Sequence, residues 1–136
     1  MLNPGLYDLV DRTITTAAEY TSDAVEDLDG IFSLGVQLRF TYGSGGTAAR
    51  VYIQTSFDQA VTWVDIACVL FTTASAHKLL NLSALTPKTS AVTPTDGAMT
   101  DDTALDGFLG DRVRVKLIST GTYAGTTQLT GRIVAR

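Results

Sequence analysis

The residues with the greatest capacity for chemistry in this sequence are aspartates. Five of them lie within sixteen positions, in a stretch rich in Thr, Ser, Pro and Gly: Asp96, Asp101, Asp102, Asp106 and Asp111. Carboxylate oxygens are the ligands that calcium prefers, but the spacing is not that of an EF-hand loop. Acidic loop residues are more often simply solvated, so we expect no bound metal.

The sequence lacks the residues that histidine-dependent catalysis requires. His77 is the only histidine, so a triad or a histidine-based zinc site would be short of partners. The sequence contains no Gly-x-Ser-x-Gly elbow, no phosphate-binding loop ending in Lys and no His-Glu-x-x-His. Carboxylate pairs can hydrolyse glycosides, but the sequence places no such pair together. We therefore predict a protein that is not an enzyme and has no cofactor.

A basic strand near the C-terminus is a candidate for binding. Arg112, Arg114 and Lys116 alternate with apolar residues, so all three should lie on one face of a strand. Cations in this arrangement could contact nucleic acid phosphates. However, the chain is acidic overall and exposed aromatic residues do not interleave the cations. We expect contact with an acidic protein surface or with the acidic N-terminal region of a neighbouring copy.

The charge of the chain is unevenly distributed. The formal net charge is −4, yet residues 1–30 carry seven acids against Arg12, and residues 112–136 carry five cations and no acid. Such asymmetry suits docking between unlike patches, although both sets could be ordinary solvated faces. Cys68 is the only cysteine and lies in an apolar run, which predicts a buried thiol and excludes an intrachain disulfide.

One short motif has a recognisable form. Ser56-Phe-Asp-Gln-Ala-Val-Thr-Trp63 resembles the Asp-box pattern, Ser-x-Asp-x-Gly-x-Thr-Trp, with Ala60 where the family has Gly. The resemblance implies a hairpin turn in which the Asp accepts local backbone hydrogen bonds and the aromatic residue packs into the core. It occurs in proteins of unrelated activity, so we expect a structural role, with carbohydrate binding as the alternative.

Alternating apolar residues indicate about eight short strands and no long amphipathic helix. A hairpin is predicted from residues 36–42 and 51–57 around Gly43-Ser-Gly-Gly46, and a second one ends the chain around residues 121–125. Further strands are expected from Arg12 towards Tyr20, over 61–72 and over 77–82. We predict an all-β, single-domain antiparallel β-sandwich, jelly-roll-like, or a small barrel.

Two segments stand apart from these strands. Residues 1–11 look like an N-terminal arm, with residues 12–136 as the sandwich domain, although a short helical turn at 6–11 is equally compatible. Residues 83–111 are a long irregular excursion that contains apolar residues, so we expect it to be ordered against the core or a partner.

Three segments together resemble small virion proteins of tailed bacteriophages, over roughly residues 35–136. They are Tyr52-Ile-Gln-Thr-Ser-Phe-Asp58 with Thr62-Trp63, Leu85-Thr-Pro-Lys88 with Thr95-Asp-Gly97, and Leu109-Gly-Asp-Arg-Val-Arg-Val-Lys116 with Gly121-Thr-Tyr-Ala-Gly-Thr126. The resemblance implies a capsid decoration (cement) protein that binds the major capsid protein on the outer shell. It also leaves open a neck or tail-completion protein, or a carbohydrate- or receptor-binding module with Trp63, Tyr52 and Tyr123 as its aromatic platform.

The expectations for location and partners follow from that resemblance. We expect synthesis in a host cytoplasm, since no signal peptide or membrane-spanning run is evident. The protein should then be a homo-oligomer on the capsid surface of a virion, with a trimer favoured and with neither nucleic acid nor membrane as partner. The expected interface comprises Leu6, Tyr7, Leu9, Arg112, Arg114 and Lys116.

Overall fold

The computed structural model describes residues 4–136, which contain eleven β-strands and no helix. In chain order they are β1 Gly5–Thr13, β2 Glu19–Thr21, β3 Ser33–Thr41, β4 Ser44–Gly45, β5 Ala48–Ser56, β6 Val64–Phe71, β7 Ala76–Ser83, β8 Thr103–Ala104, β9 Arg112–Thr120, β10 Tyr123–Ala124 and β11 Gln128–Ala135. Among these residues there is accordingly no helix that could span a membrane.

Two antiparallel sheets enclose one apolar core. The four-stranded sheet has the order β1-β11-β3-β7, and the five-stranded sheet has the order β2-β9-β5-β6-β8. Eight longer strands remain when the two-residue strands β4, β8 and β10 are set aside. Among these eight, β1 pairs with β11, β2 with β9, β3 with β7 and β5 with β6, so the first pairs with the last and the order continues inward. This nested order is that of a jelly roll. Both sheets are open, so the predicted all-β sandwich is confirmed in preference to a small barrel.

The core follows from the period-two alternation of apolar residues. On β3, Leu34, Val36, Leu38 and Phe40 point inward and are at most 2% exposed, while the residues between them face outward. The apolar residues of β9 and β11 face the same interior from either sheet. Burial of these side chains is the main source of stability in a chain whose single cysteine excludes an intrachain disulfide.

Neither of the two predicted hairpins forms. β3 pairs with β11 and β7, whereas β5 pairs with β6 and β9, so the Gly43–Gly46 segment crosses between sheets instead of joining paired neighbours. The predicted C-terminal hairpin does not form either, because β9 lies in the five-stranded sheet and β11 lies in the four-stranded sheet. Alternation identified β3, β5 and β9 correctly, but it carries no information about which strands pair.

The two crossings meet at one end of the sandwich. Short strands β4 and β10, one from each crossing, pair with each other as a separate ladder. A side chain at Gly43 would overlap the carbonyl oxygen of Gly125, so glycine is required for this close approach. The glycine-rich segments that suggested hairpin turns therefore serve to pass the chain from one sheet to the other.

The segment predicted as an arm belongs to the sandwich. Residues 1–3 lie outside the described residues, and residues 5–13 form β1, which is antiparallel to β11 along its length. The register shifts between Asp8 and Val10, and both Leu9 and Val10 are buried in the core. Leu9 and Val10 thus pack on the protein's own interior, whereas Leu6 is exposed, and the strand expected from Arg12 towards Tyr20 is divided into β1 and β2.

The long excursion is ordered, as expected. Residues 84–111, which we call the strap, cross the outer face of the five-stranded sheet and contribute β8 to its edge. β5 and β6 are consequently buried on both faces, which accounts for the continuous apolar run of β6.

Candidate docking surface

The predicted basic strand is in place, but two of its three cations are already paired with acids of the chain. Arg112 Nη1 lies 3.4 Å from Glu26 Oε1, and Arg112 Nε lies 3.2 Å from Asp111 Oδ1. Lys116 Nζ lies 3.3 Å from Glu19 Oε1 and 3.0 Å from Asp96 Oδ1. The hydrogen bonds that Lys116 donates, first to Asp96 and then to Glu19, raise the pKa of Lys116.

Arg114 is the most enclosed of the three cations. Its Nε donates to Gln54 Oε1 at 2.9 Å, and its guanidinium carbon lies 4.3 Å from the centre of the Trp63 ring. Burial lowers the pKa of this arginine, since a charged group loses hydration there. The basic face thus contacts this chain's own acidic N-terminal segment and strap, and it does not form an open cationic surface.

The apolar half of the predicted interface is divided. Leu9 is 4% exposed and packs in the core, so it is not available to a partner, whereas Tyr7 packs against the core and remains partly exposed. Leu6 is 61% exposed and lies opposite Val134, near the end of β11.

The clustered aspartates fix the strap to the sheet. Asp101 receives hydrogen bonds from Arg50 Nε at 2.7 Å and Nη2 at 3.2 Å. Asp102 Oδ1 accepts from Leu70 N at 3.1 Å, and Asp106 Oδ1 accepts from Ser83 N. No group of three or more potential ligands with metal-binding geometry occurs within residues 4–136. These carboxylates are occupied by donors of the protein itself.

The strap attachment should weaken in acid. The hydrogen bond from Arg50 lowers the pKa of Asp101 below its ordinary value of 3.8. For Asp96, burial acts to raise the pKa, but hydrogen bonds from Lys116 and Gln54 outweigh it and the net shift is downward. Both groups therefore stabilise the fold fully above pH 3.8, and this contribution is lost as the pH falls through their folded-state pKa values.

At pH values below about 4, we expect the urea concentration at the unfolding midpoint to decrease and proteolytic cleavage within the strap to accelerate. The D96N/D101N double variant should show a flatter pH dependence in this range than the wild type. An equal pH dependence in the two proteins would contradict the assignment.

The Asp-box segment forms the turn that the resemblance implied. Asp58 Oδ1 accepts from Thr62 N at 2.8 Å, and Ser56 Oγ accepts from Ala60 N at 2.9 Å. These bonds close the β5–β6 connection, the one hairpin around which the described strands nest. Trp63 differs from the family's aromatic residue, because it is only partly buried and stacks on Arg114.

Ala60→Gly should stabilise the protein. Ala60 has φ of 70°, a left-handed conformation that costs a non-glycine residue about 1 kcal/mol, and the Asp-box family has glycine there. Allowing for the greater freedom of glycine in the unfolded chain, we expect a net gain of roughly 0.5 kcal/mol in the free energy of unfolding. Urea denaturation checks this, with Ala91→Gly, at an exposed loop position without positive φ, as a control that should show no gain.

Exposed apolar side chains gather at one end of the sandwich. Four large ones occupy its turns, and we call them the tip patch: Phe32 at 59%, Phe57 at 60%, Val61 at 79% and Leu85 at 68% exposed. The other large apolar residues exposed within residues 4–136 are Leu6, Leu79 and Val92. Single exposed apolar residues are ordinary, but a group of them marks an interaction surface.

Main-chain contacts hold the segments of the tip patch together. Ala84 N donates to Phe32 O at 2.7 Å, which places Leu85 beside Phe32. Gly107 N donates to Ser83 O at 2.9 Å, and the following Phe108 meets the Phe57 ring edge-on with centroids 6.4 Å apart. The segments that carry Phe32, Leu85 and Phe57 are thus connected to one another through the strap.

No family model, curated protein or solved structure matches this chain.

The other residues singled out in the sequence are the histidine, the cysteine and two tyrosines, and the structure gives each a defined environment. His77 is exposed and its Nε2 lies 2.9 Å from Gln37 Nε2, as expected of a surface residue. Cys68 is fully buried, so the predicted buried thiol is confirmed, and burial raises the pKa of this thiol to about 11. Tyr52 and Tyr123 are 4% and 1% exposed and cannot form part of an aromatic platform for a sugar.

A polar cleft of about 660 Å³ lies beside the β1 bulge. Its lining includes Asp8, Asp11, Asp23, Arg39 and Arg132. Arg132 Nε is 3.2 Å from Asp8 Oδ1, and both side chains are more than half exposed. The cleft thus contains a solvated ion pair within a mixed polar and apolar lining, unlike the predominantly apolar, enclosed lining typical of a small-molecule site.

Proposed function

We propose that this chain is a non-enzymatic structural virion protein that binds the outer capsid lattice and stabilises it. The observation that carries the proposal is the tip patch, which combines four exposed apolar side chains on turns at one end of a rigid sandwich. Turns held by a two-sheet scaffold are suited to protein docking, because the scaffold fixes their positions before binding.

The architecture and the sequence resemblance support the same function. Jelly rolls occur in viral capsid and lectin domains, although a fold alone does not determine function. The bacteriophage resemblance favours a capsid-binding protein over a carbohydrate-binding module. The lectin-type alternative is weakened because two of its three platform aromatics are buried.

The partner in this proposal is the major capsid protein. A shell offers the same site many times, so a modest affinity per copy can produce a large total stabilisation. Homo-oligomerisation at a threefold position of the lattice would add contacts between neighbouring copies.

Cryo-electron microscopy of undecorated capsids of the encoding phage, mixed with the purified protein, tests the proposal. Regular density over the outer shell is expected, together with capsids that withstand a higher temperature before they open. Density confined to a single vertex would overturn the decoration role in favour of a neck or tail-completion protein. Bare capsids would overturn the proposal altogether.

A further inference from the structure

The tip patch is surrounded by an excess of negative charge. The segments that build this end of the sandwich are residues 26–32, 57–63, 84–88 and 105–112 with residue 136. They contain six acids, Glu26, Asp27, Asp29, Asp58, Asp106 and Asp111, and three cations, Lys88, Arg112 and Arg136, a net charge of −3.

Part of this negative charge is not matched by a cation of its own. The carboxylate of Asp58 accepts hydrogen bonds from the neutral donors of Thr62 and Ser56. Asp106 accepts from Ser83 and Thr86 and has Lys88 as its nearby cation. Arg112 is shared between Glu26 and Asp111, so one cation serves two carboxylates. An apolar patch with such a border presents a negative potential to anything that approaches.

We infer that the tip patch docks on a protein surface that is apolar at its centre and ringed by lysine or arginine side chains. The inference rests on the proposed function and specifies the chemistry of the capsid site. Two copies that met tip to tip would bring like charges together, so the tip patch of a second copy is not the expected binding partner. A cationic ring supplies the complementary potential, while the apolar centre supplies the affinity.

Docking through the tip also determines orientation. The strands run away from the tip patch, and β9 leads from Arg112 at this end to Thr120 at the other. The protein would therefore stand on the shell with its strands pointing outward. The β4–β10 crossings and the aromatic cluster around Tyr123 would lie at the far end.

Two matched pairs of variants test the inference. Leu85→Ser removes a tip residue, and Leu79→Ser removes a residue of similar exposure, 72% against 68%, from the outer face of the four-stranded sheet. Glu26→Lys reverses a rim charge, and Glu19→Lys reverses an acid of similar exposure, 59% against 61%, that also has one cationic partner. Glu19 lies opposite Ile118, about 20 Å along β9 from the tip.

The first readout uses no capsid. On a support that carries phenyl groups and quaternary amines, the wild type should be retained more strongly than Leu85→Ser and Glu26→Lys. Leu79→Ser and Glu19→Lys should elute with the wild type, and circular dichroism should show all five proteins folded. Equal elution of the five proteins would overturn the inference regardless of what the protein does on a virion.

The second readout is binding of the same five proteins to undecorated capsids. We expect the tip variants to lose at least tenfold in affinity and the controls to lose less than twofold. Wild-type affinity should fall between about 0.05 and 0.5 M NaCl, since added salt screens the charges of the rim. If the controls weaken binding as much as the tip variants, the tip inference fails and the decoration role stands. If no protein binds, the decoration role fails and the first readout decides the inference.

Discussion

Replacing Asp65 by asparagine is expected to lower the free energy of unfolding by roughly 3–5 kcal/mol, because several hydrogen bonds to a buried charged acceptor are weakened together. Asp65 is 1% exposed. Its carboxylate accepts from Gln54 Nε2 and Thr95 Oγ1, both at 2.8 Å, and from the main-chain nitrogens of Gly97 and Ala98. An asparagine amide would place a donor where those donors converge.

The loss should appear first in the strap. Three of the four donors to Asp65 come from residues 95–98, so the variant should expose the strap to protease before the sheets unfold. Urea denaturation and limited proteolysis measure the two effects. Asp8→Asn is the matched control, since that carboxylate is 85% exposed and its ion pair with Arg132 should contribute less than about 1 kcal/mol. A similar free energy of unfolding for both variants would show that Asp65 is not the principal attachment of the strap to the sheet.

Truncating Tyr123 to alanine should cost about 3–5 kcal/mol, the usual range for removing a buried aromatic side chain. Tyr123 is 1% exposed, and its ring meets Phe40 edge-on at 5.8 Å and Tyr42 at 6.2 Å between centroids. The ring fills the space between the two crossings, so its removal leaves a cavity where the sheets are joined. A side chain at Gly46 would overlap this ring, which shows how closely the site is filled.

The hydroxyl of Tyr123 can be tested apart from the ring. It donates to Thr72 O at 2.8 Å, so Tyr123→Phe should cost about 1 kcal/mol. Phe57→Ala, at a 60% exposed position, is the control for loss of an aromatic ring outside the core. Thermal and urea unfolding should rank the variants with Tyr123→Ala lowest. A cost for Phe57→Ala equal to that of Tyr123→Ala would contradict the cavity argument.

The sequence was sufficient for the strands and insufficient for their pairing. Alternation in β3 and β9 predicted the buried residues, because side-chain direction depends only on the local backbone. Pairing depends on contacts between distant segments, and a glycine-rich link such as Gly43–Gly46 serves a hairpin turn and a sheet crossing equally well. The Asp-box motif was the one local signal tied to a specific pairing, and it marked the hairpin that forms.

The interface prediction had a similar limit. Arg112, Arg114 and Lys116 were correctly placed on one face, but the acids that pair with Arg112 and Lys116 include two that are distant in sequence, Glu26 and Glu19. Glu19 precedes Lys116 by almost a hundred positions, and only the β2–β9 pairing brings them together. The tip patch did leave a signal in the sequence, since Phe57 and Val61 are apolar residues inside a turn motif that does not need them to be apolar. A search for large apolar residues within predicted turns would have found it.

The nested strand order has a consequence for synthesis. β1 is the first strand to leave the ribosome, but its partner β11 is the last, ending at Ala135. The β5–β6 hairpin can form early, whereas β3, β2 and β1 must wait in turn for β7, β9 and β11. We therefore expect a nascent chain that stops before Gln128 to remain open and sensitive to protease. Unpaired strand edges invite association with other chains, so we expect truncated chains that lack β11 to aggregate more readily than chains that contain it.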